Sequence, residues 1–417
     1  PFMVSGGTFL MTTQASRTRS PVAILFFTVF IDLLGFGIVL PLLPYYAHQF
    51  QASGMTAGAL IAVYSAMQFI CAPLWGRLSD RIGRRPVLLI SLAGSTSSYL
   101  LFALANGIGL LFVSRILAGV AGATVPVAQA FIADRTSEKE RARGMGMIGA
   151  AFGLGFVFGP VIGGLLAPYG HFAPGLAATA ICAVNLLAAI WRLPESLAPA
   201  HRHTSPASHP VVRIRAALRQ PQLATLLLLL AAVVFSFSTV ETTLSLLCAK
   251  AYRMSAAHIY WLFGYMGVMT ALMQGGLIGR LSRRFEESTL VTVGAALFSV
   301  GLATAPFTPP LAPLLLSLGA IAFGQGITSP VLSSLISKSS RPAEHGGVLG
   351  VSQSLGSLAR ILGPLWGGVL FDYGGPAGPY VTTAVLMLLA TGVALSLRRS
   401  IESGVDEVPA IHHPPVS

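Results

Sequence analysis

Apolar runs long enough to cross a bilayer follow one another from Val22 to Leu397, separated mostly by short polar gaps. A helix of about 20 residues crosses a hydrocarbon core about 30 Å thick. Within lipid the backbone must satisfy its own hydrogen bonds, which only helices and closed barrels achieve. Barrel strands would be short and alternate in polarity, whereas these runs are continuous. Twelve helices are therefore expected: 22–46, 56–75, 86–105, 109–133, 145–167, 174–192, 222–248, 258–279, 288–306, 311–336, 347–371 and 378–397. The run at Val22 is too long for a signal-peptide core and keeps a charge in its middle, so it is expected to be retained. Charged residues are only 10% of the chain, against about 25% in a soluble domain, and mean hydropathy is +0.74.

The formal charge of +12 raises nucleic acid as a partner, but the basic residues sit in alternate gaps. Arg77, Arg81, Arg84 and Arg85 follow the second run, and Arg135, Lys139, Arg141 and Arg143 follow the fourth. Five more lie between Arg192 and Arg219; Arg280, Arg283 and Arg284 follow the eighth run, and Lys338 and Arg341 the tenth. Arg17 and Arg19 precede the first run and Arg398 and Arg399 follow the last; the odd-numbered gaps hold only Lys250 and Arg253. This is the positive-inside pattern, and it places both termini in the cytoplasm of a multi-pass protein. The basic excess is topology rather than a nucleic-acid surface. Cys71, Cys182 and Cys248 suit neither a disulfide framework nor a zinc site, and no histidine pair has metal-binding helical spacing. No metal or organic cofactor is expected. Clustered histidine, aspartate or serine near one bilayer face, which a membrane-embedded enzyme would need, is not seen.

The chain also repeats itself. Gly76-Arg77-Leu78-Ser79 returns as Gly279-Arg280-Leu281-Ser282, 203 positions later. Gly122-x-Thr124-x-Pro126 returns 204 positions later from Gly326, and Gly159-Pro160-x-x-Gly163-Gly164 from Gly363. Parallel repeats of this size imply an all-α membrane protein of twelve transmembrane helices in two pseudo-symmetric six-helix bundles, with a site near the midplane between them. The bundles are expected at 21–192 and 222–399, joined by a proline-rich cytoplasmic linker, 193–221. Residues 1–20 and 400–417 have the character of disordered tails.

Charge at lipid depth costs at least about 2.5–3.5 kcal/mol, so ionisable residues there are functional candidates. Asp32 and Glu241 are the two acids inside the runs, and Arg115 and Arg360 the two arginines. A dry setting favours the neutral form of a carboxyl group, so its proton can be held or released as a cavity dries or floods. Asp32 and Glu241 are therefore candidate proton carriers, each with a structural alternative as a cap or a permanent ion-pair partner. Arg115, which leads a glycine- and alanine-rich stretch, is a candidate partner for an acid or an anion. Gly76 to Pro86 fills the second gap, with Pro86 in the first turn of the following helix. There Asp80 is placed to cap a neighbouring helix N-terminus, and the arginines to bond Asp134. Gly76, Asp80, Arg81, Gly83, Arg84, Arg85 and Asp134 thus form a candidate conformational latch, matched against a plain positive-inside anchor. The second copy has Arg283 where Asp80 stands, so the latch is one-sided. Gly155, Gly159, Pro160, Gly163 and Gly164 give a close-packed helix face.

These motifs resemble those of the major facilitator superfamily, and more narrowly its twelve-span drug:proton antiporters, over roughly 20–400. Gly76 to Pro86 matches the family's loop motif, Arg115 to Ala123 its fourth-helix motif, and Gly155 to Gly164 the fifth-helix motif associated with antiporters. Met67-Gln68 through Leu92, Ile132-Ala133-Asp134 and Ala151 to Gly155 are similar to bacterial tetracycline efflux proteins. Asp32 falls where those proteins carry a first-helix Asp, and Gln274 where they carry an eighth-helix Gln. Thr270 replaces an eighth-helix His of the Gram-negative class and Phe298 a ninth-helix Asp. The resemblance implies a monomeric inner-membrane exporter of small amphipathic drugs, tetracycline-like compounds among them, driven by the proton gradient. A proton-coupled importer of a sugar or small metabolite is the alternative. Gln68, Gln129, Asn185, Trp261, Tyr265, Thr270, Gln274, Gln325 and Gln353 are candidate cavity contacts, each with a packing or interhelical hydrogen-bonding alternative.

Overall fold

The structure, a computed structural model, describes residues 21–136, 138–170, 172–197, 219–308, 311–339 and 345–405. The expected tail 1–20, linker residues 198–218 and tail residues 406–417 lie outside the described residues. Twelve helices have the length and composition to span a membrane. In chain order they are α1 Ala23–Gln49, α2 Gly54–Ile82, α3 Arg84–Ala103, α4 Ile108–Arg135, α5 Gly144–Tyr169, α6 Phe172–Arg192, α7 Pro221–Lys250, α8 Ala256–Arg284, α9 Glu287–Phe307, α10 Leu311–Lys338, α11 Val348–Tyr373 and α12 Gly378–Leu397. No strand occurs among the described residues.

Edges move where polar residues extend a helix past the hydrocarbon. The motif expected to fill the second gap is helical through Ile82, and α3 resumes at Arg84, leaving Gly83 alone between them. Gly83 has φ 108°, a left-handed value that a side chain resists. The helix containing α12 runs on to Val405, so residues 400–405 of the expected tail are helical. Three spans are interrupted. Within α1 the helix stops at Val39 and restarts at Leu42, and within α4 it stops at Ala121 and restarts at Thr124. In α8 a π-helical turn covers Met273–Leu277.

The first six spans pack together, α1 on α5 and α6, and α3 on α4 and α6. The last six do likewise, α7 on α11 and α12, and α9 on α10 and α12. The halves meet along two main seams, α2 with α11 and α5 with α8, and the far end of α1 touches α7. Both seams lie toward the end of the molecule away from the basic gaps. There Tyr260 donates from its hydroxyl to the Ile38 carbonyl (2.8 Å) and Ser245 to that of Pro41 (2.8 Å). A Cβ at Gly58 would collide with the Pro364 carbonyl, so these backbones touch. Toward the basic end the halves part: a Cβ at Gly149, Gly153, Gly275, Gly276, Gly279 or Gly350 would meet nothing within 4 Å. The molecule is shut at one end and open at the other.

Candidate functional site

Between the halves lies a cavity of about 190 Å³, walled by α5, α7, α8 and α10. Phe152, Phe156, Phe237, Val240, Phe263 and Met266 make it mainly apolar, and Glu241, Thr270, Gln274 and Gln325 supply its polar groups. The Gln325 Oε1 is buried without a hydrogen-bond partner. Such a group is costly when nothing fills the space in front of it. Three expected cavity contacts, Thr270, Gln274 and Gln325, thus converge here, together with Glu241, expected as a proton carrier. The phenylalanine wall was missed, because single aromatic residues in apolar helices carry no signal that separates a cavity from lipid.

The other expected contacts stand elsewhere. Trp261 is half-exposed beside Gly164, and Tyr265 packs its hydroxyl against Gly319 on α10. Asn185 donates to the Thr28 carbonyl of α1 (2.9 Å), a packing bond within the first half. Gln129 is half-buried on α4 and Gln353 exposed on α11, both outside the cavity lining. Gln68 Nε2 donates to the Gly122 carbonyl (3.4 Å). It belongs to the α4 break, where backbone groups lose their helical partners. Trp75 Nε1 bonds the Val120 carbonyl (2.5 Å), and Ser91 donates to Ala121 and accepts from Ala123. Sequence reading set Gln68 at the cavity; the break gives it different work.

That break also shapes the surroundings of Asp32. The inner half of α4 starts at Thr124, and Asp32 faces the hydroxyls of Thr124 and Ser95. The Asp32 Oδ1 is buried with no hydrogen-bond partner. Asp32 is absent from the cavity lining. Phe36, one turn along α1, packs on Tyr64 (5.4 Å between ring centres) and on Phe156 (6.1 Å). Phe156 is a cavity wall, so the turn of α1 next to Asp32 packs against the chamber's wall, while Asp32 itself is half-buried.

Arg115 is only 1% exposed and makes no ion pair among the described residues, contrary to its expected role as partner of an acid. Its guanidinium lies 5.9 Å from the Tyr99 ring centre and 5.7 Å from that of Phe102. It also bonds Ser114 (3.3 Å), while one terminal nitrogen is unpartnered. Aromatic faces attract a guanidinium. Instead, Arg360 is the arginine whose charge acts on Glu241, and it bonds Ser357 (3.2 Å).

At the basic end Arg84 gathers the expected latch: Asp80 at 2.6 Å, Asp134 at 3.0 Å and the Ser79 hydroxyl at 2.6 Å. Asp80, expected to cap a neighbouring helix N-terminus, instead pairs with Arg84, and the α3 N-terminus is capped by Glu195. Its carboxylate accepts from the Arg84 and Arg85 amides at 2.9 and 3.2 Å. A carboxylate suits that end of a helix. Glu195 stood in a segment read as linker and was missed; its only signal was an acid just past the end of a span. Arg85 reaches the carbonyls of Leu193 (2.8 Å) and Ile190 (2.6 Å) on the α6 side. Arg81 is exposed. Among the described residues, the partners of this cluster lie in the first half or just past its last span, so in this conformation it braces one bundle and does not reach the other. In the second copy Arg280 bonds the Gly276 carbonyl (3.2 Å) on its own helix.

The glycine motif splits its duty. A Cβ at Gly159 would lie 2.6 Å from the Gly37 backbone, and one at Gly155 3.0 Å from Leu33, so both set α5 against α1. Gly163 and Gly164 accept Tyr260 of α8, and Pro160 lies beside Gly264. One helix face thus joins its own bundle and then the other.

The geometry is that of two six-helix halves closing around a shared chamber. A Major Facilitator Superfamily model matches residues 25–320 and 242–417. The chain belongs to the major facilitator superfamily. Among its relatives is the tetracycline resistance protein, class C, of Escherichia coli, 34% identical, with 84% of this chain and 89% of that protein covered. Multidrug resistance protein 2 of Bacillus subtilis (strain 168) is 28% identical, over 92% and 97%. The crystal structure of the human organic anion transporter MFSD10 (TETRAN) is also similar, at TM-score 0.67 and 28% identity, covering 91% of this chain and all of that one. Superfamily members of this kind are membrane carriers, and this one is a carrier rather than an enzyme.

Proposed function

We propose that this carrier exports small amphipathic compounds, tetracycline-like drugs among them, across the cytoplasmic membrane in exchange for protons. The observation that carries the reading is an aromatic cavity with a carboxylate in its wall, Glu241, open toward the basic end. With the basic gaps and both termini cytoplasmic, the open end faces the cell interior and the conformation is the one that loads cargo. Apolar and aromatic walls suit a drug-sized amphipathic body, and Thr270, Gln274 and Gln325 suit its polar groups. The names of the relatives support export of drugs over uptake of metabolites.

Glu241 and Asp32 are the proton sites in this reading. Cargo enters while they are ionised. Protons arriving from outside neutralise them after reorientation, release cargo and permit return. An inside-negative potential supplies about 2.3 kcal/mol per charge per 100 mV, so one proton per cycle suffices to build a gradient. The protein acts as a monomer, since each chain holds both halves of its chamber.

The test is transport by purified protein in liposomes, with and without an imposed pH difference, across a panel including a tetracycline and a lipophilic fluorescent dye. Export predicts that drug and protons move in opposite directions. Movement in the same direction would establish the importer alternative, and drug flux indifferent to the pH difference would remove proton coupling.

A further inference from the structure

At the closed end, the first turn of α2 is capped by the opposite half of the molecule. Asp372, at the end of α11, takes the Gly54 amide on Oδ1 (2.7 Å) and the Met55 amide on Oδ2 (2.8 Å), across 318 and 317 positions of sequence. Ser53 supplies the local cap, accepting from the Thr56 amide at 3.1 Å. Between them the two side chains satisfy three of the amides that a helix start leaves without partners. The glycines explain the approach: a Cβ at Gly368 would strike the Gly54 carbonyl and one at Gly58 the Pro364 carbonyl. The α2 and α11 backbones are in contact, and the carboxylate is delivered onto the amides. A carboxylate bonded to helix-start amides is charge-assisted and favoured by the helix dipole.

We infer that Asp372 is a positioning residue of the transport cycle, locking the far end shut while the basic end is open. It cannot hold the α2 cap once the halves separate at that end, because its partners belong to the other half. The bonds therefore exist in one conformation and are broken in the other, and their free energy biases the equilibrium between the two. The other seam lacks the device. The position equivalent to Asp372, 204 residues earlier, is Pro168, and on the other side of the far end α8 is tied to α1 by the neutral hydroxyl of Tyr260 on the Ile38 carbonyl. Among the described residues, closure of the far end is thus charge-dependent on the α2–α11 side.

The experiment reads conformation, not cargo, so it stands or falls separately from the assignment of substrate. Full-length protein with Cys71, Cys182 and Cys248 replaced by serine carries spin labels at Asn106→Cys and Ala251→Cys, far-end loop positions in opposite halves. Distances between labels are measured in lipid nanodiscs. Asp372→Asn, which keeps size but removes charge, is expected to shift the closed-to-open ratio of the far end toward open by about three- to thirty-fold, the range of a lost helix cap. Asp372→Ala is expected to shift it at least as far. Ser53→Ala, which weakens the same helix start without crossing the seam, is expected to leave the ratio unchanged. An Asp372→Asn distribution that matches the parent, or a Ser53→Ala shift of equal size, overturns the inference. Should Asp372→Ala fail to fold, Asp372→Asn alone decides.

Discussion

Asp32 and Glu241 are the two acids buried within the membrane spans, one in each half, and their surroundings differ. Glu241 stands in the cavity wall with Gln274 and Gln325 for neighbours and the charge of Arg360 acting on it. Asp32 is absent from that wall and faces hydroxyls from α3 and from the restart of α4, one turn from Phe36. The first acid lines the cavity and the second does not. In the proposed exchange of cargo for protons, Glu241 is the group for which the two compete and Asp32 the group that senses protonation within a packed bundle, so the halves, though built from one repeated plan, divide the task.

The strongest way to break the contrast is to move α1, which carries Asp32, off its seat on α5. Gly159→Val would drive a branched side chain into the Gly37 backbone, 2.6–2.7 Å from its Cβ, and push α1 off α5. Overpacking of this kind costs about 1–3 kcal/mol or more, so loss of the monodisperse peak in size-exclusion chromatography is expected. Gly153→Ala, on the open cavity wall, should leave that peak intact. Next in size, Glu241→Gln should weaken drug binding by about tenfold or more, the worth of a hydrogen bond to a charged group, and remove its dependence on pH. Calorimetric titration at two pH values checks this, and an unchanged affinity would take Glu241 out of the binding site.

Asp32→Asn sharpens the same comparison from the other side. Because Asp32 does not line the cavity, drug affinity should stay within about twofold of the parent, a difference of under 0.5 kcal/mol. Drug uptake driven by a pH difference should nevertheless be lost while drug–drug exchange persists. Coupled transport at the parental rate would leave Glu241 as the sole coupling acid. The smallest effect is expected at Gln68→Ala. Drug affinity should not change, and the melting temperature should fall by the equivalent of about 1 kcal/mol, one hydrogen bond to the α4 break. A loss of affinity without a loss of stability would return Gln68 to the cavity.

The spans, their number and the two-fold plan were readable from residue order, since hydropathy over about 20 positions is a local property and the repeats are literal. The candidate site was readable in part. Glu241, named for its charge at lipid depth, meets Thr270, Gln274 and Gln325 in one chamber, whereas Gln68, Asn185, Trp261 and Tyr265, named on the same grounds as those three, lie outside it. Polar residues in apolar helices all look alike in sequence. What separates Gln325 from Gln68 is the rotation of each helix and the presence of a broken turn opposite one of them. Glu195 shows the same limit at the rim: its acid becomes a cap only because α6 ends beside the start of α3.

Residue order alone therefore settled that this chain is a twelve-helix membrane protein in two matching halves, because lipid permits few other solutions to a run of uncharged backbone. Tertiary packing decided which acid faces the chamber, which arginine acts on it, and which end is shut. Those outcomes depend on contacts such as Gly54 with Asp372 and Tyr260 with Ile38, between residues hundreds of positions apart. Only the docking of one bundle on the other brings them together.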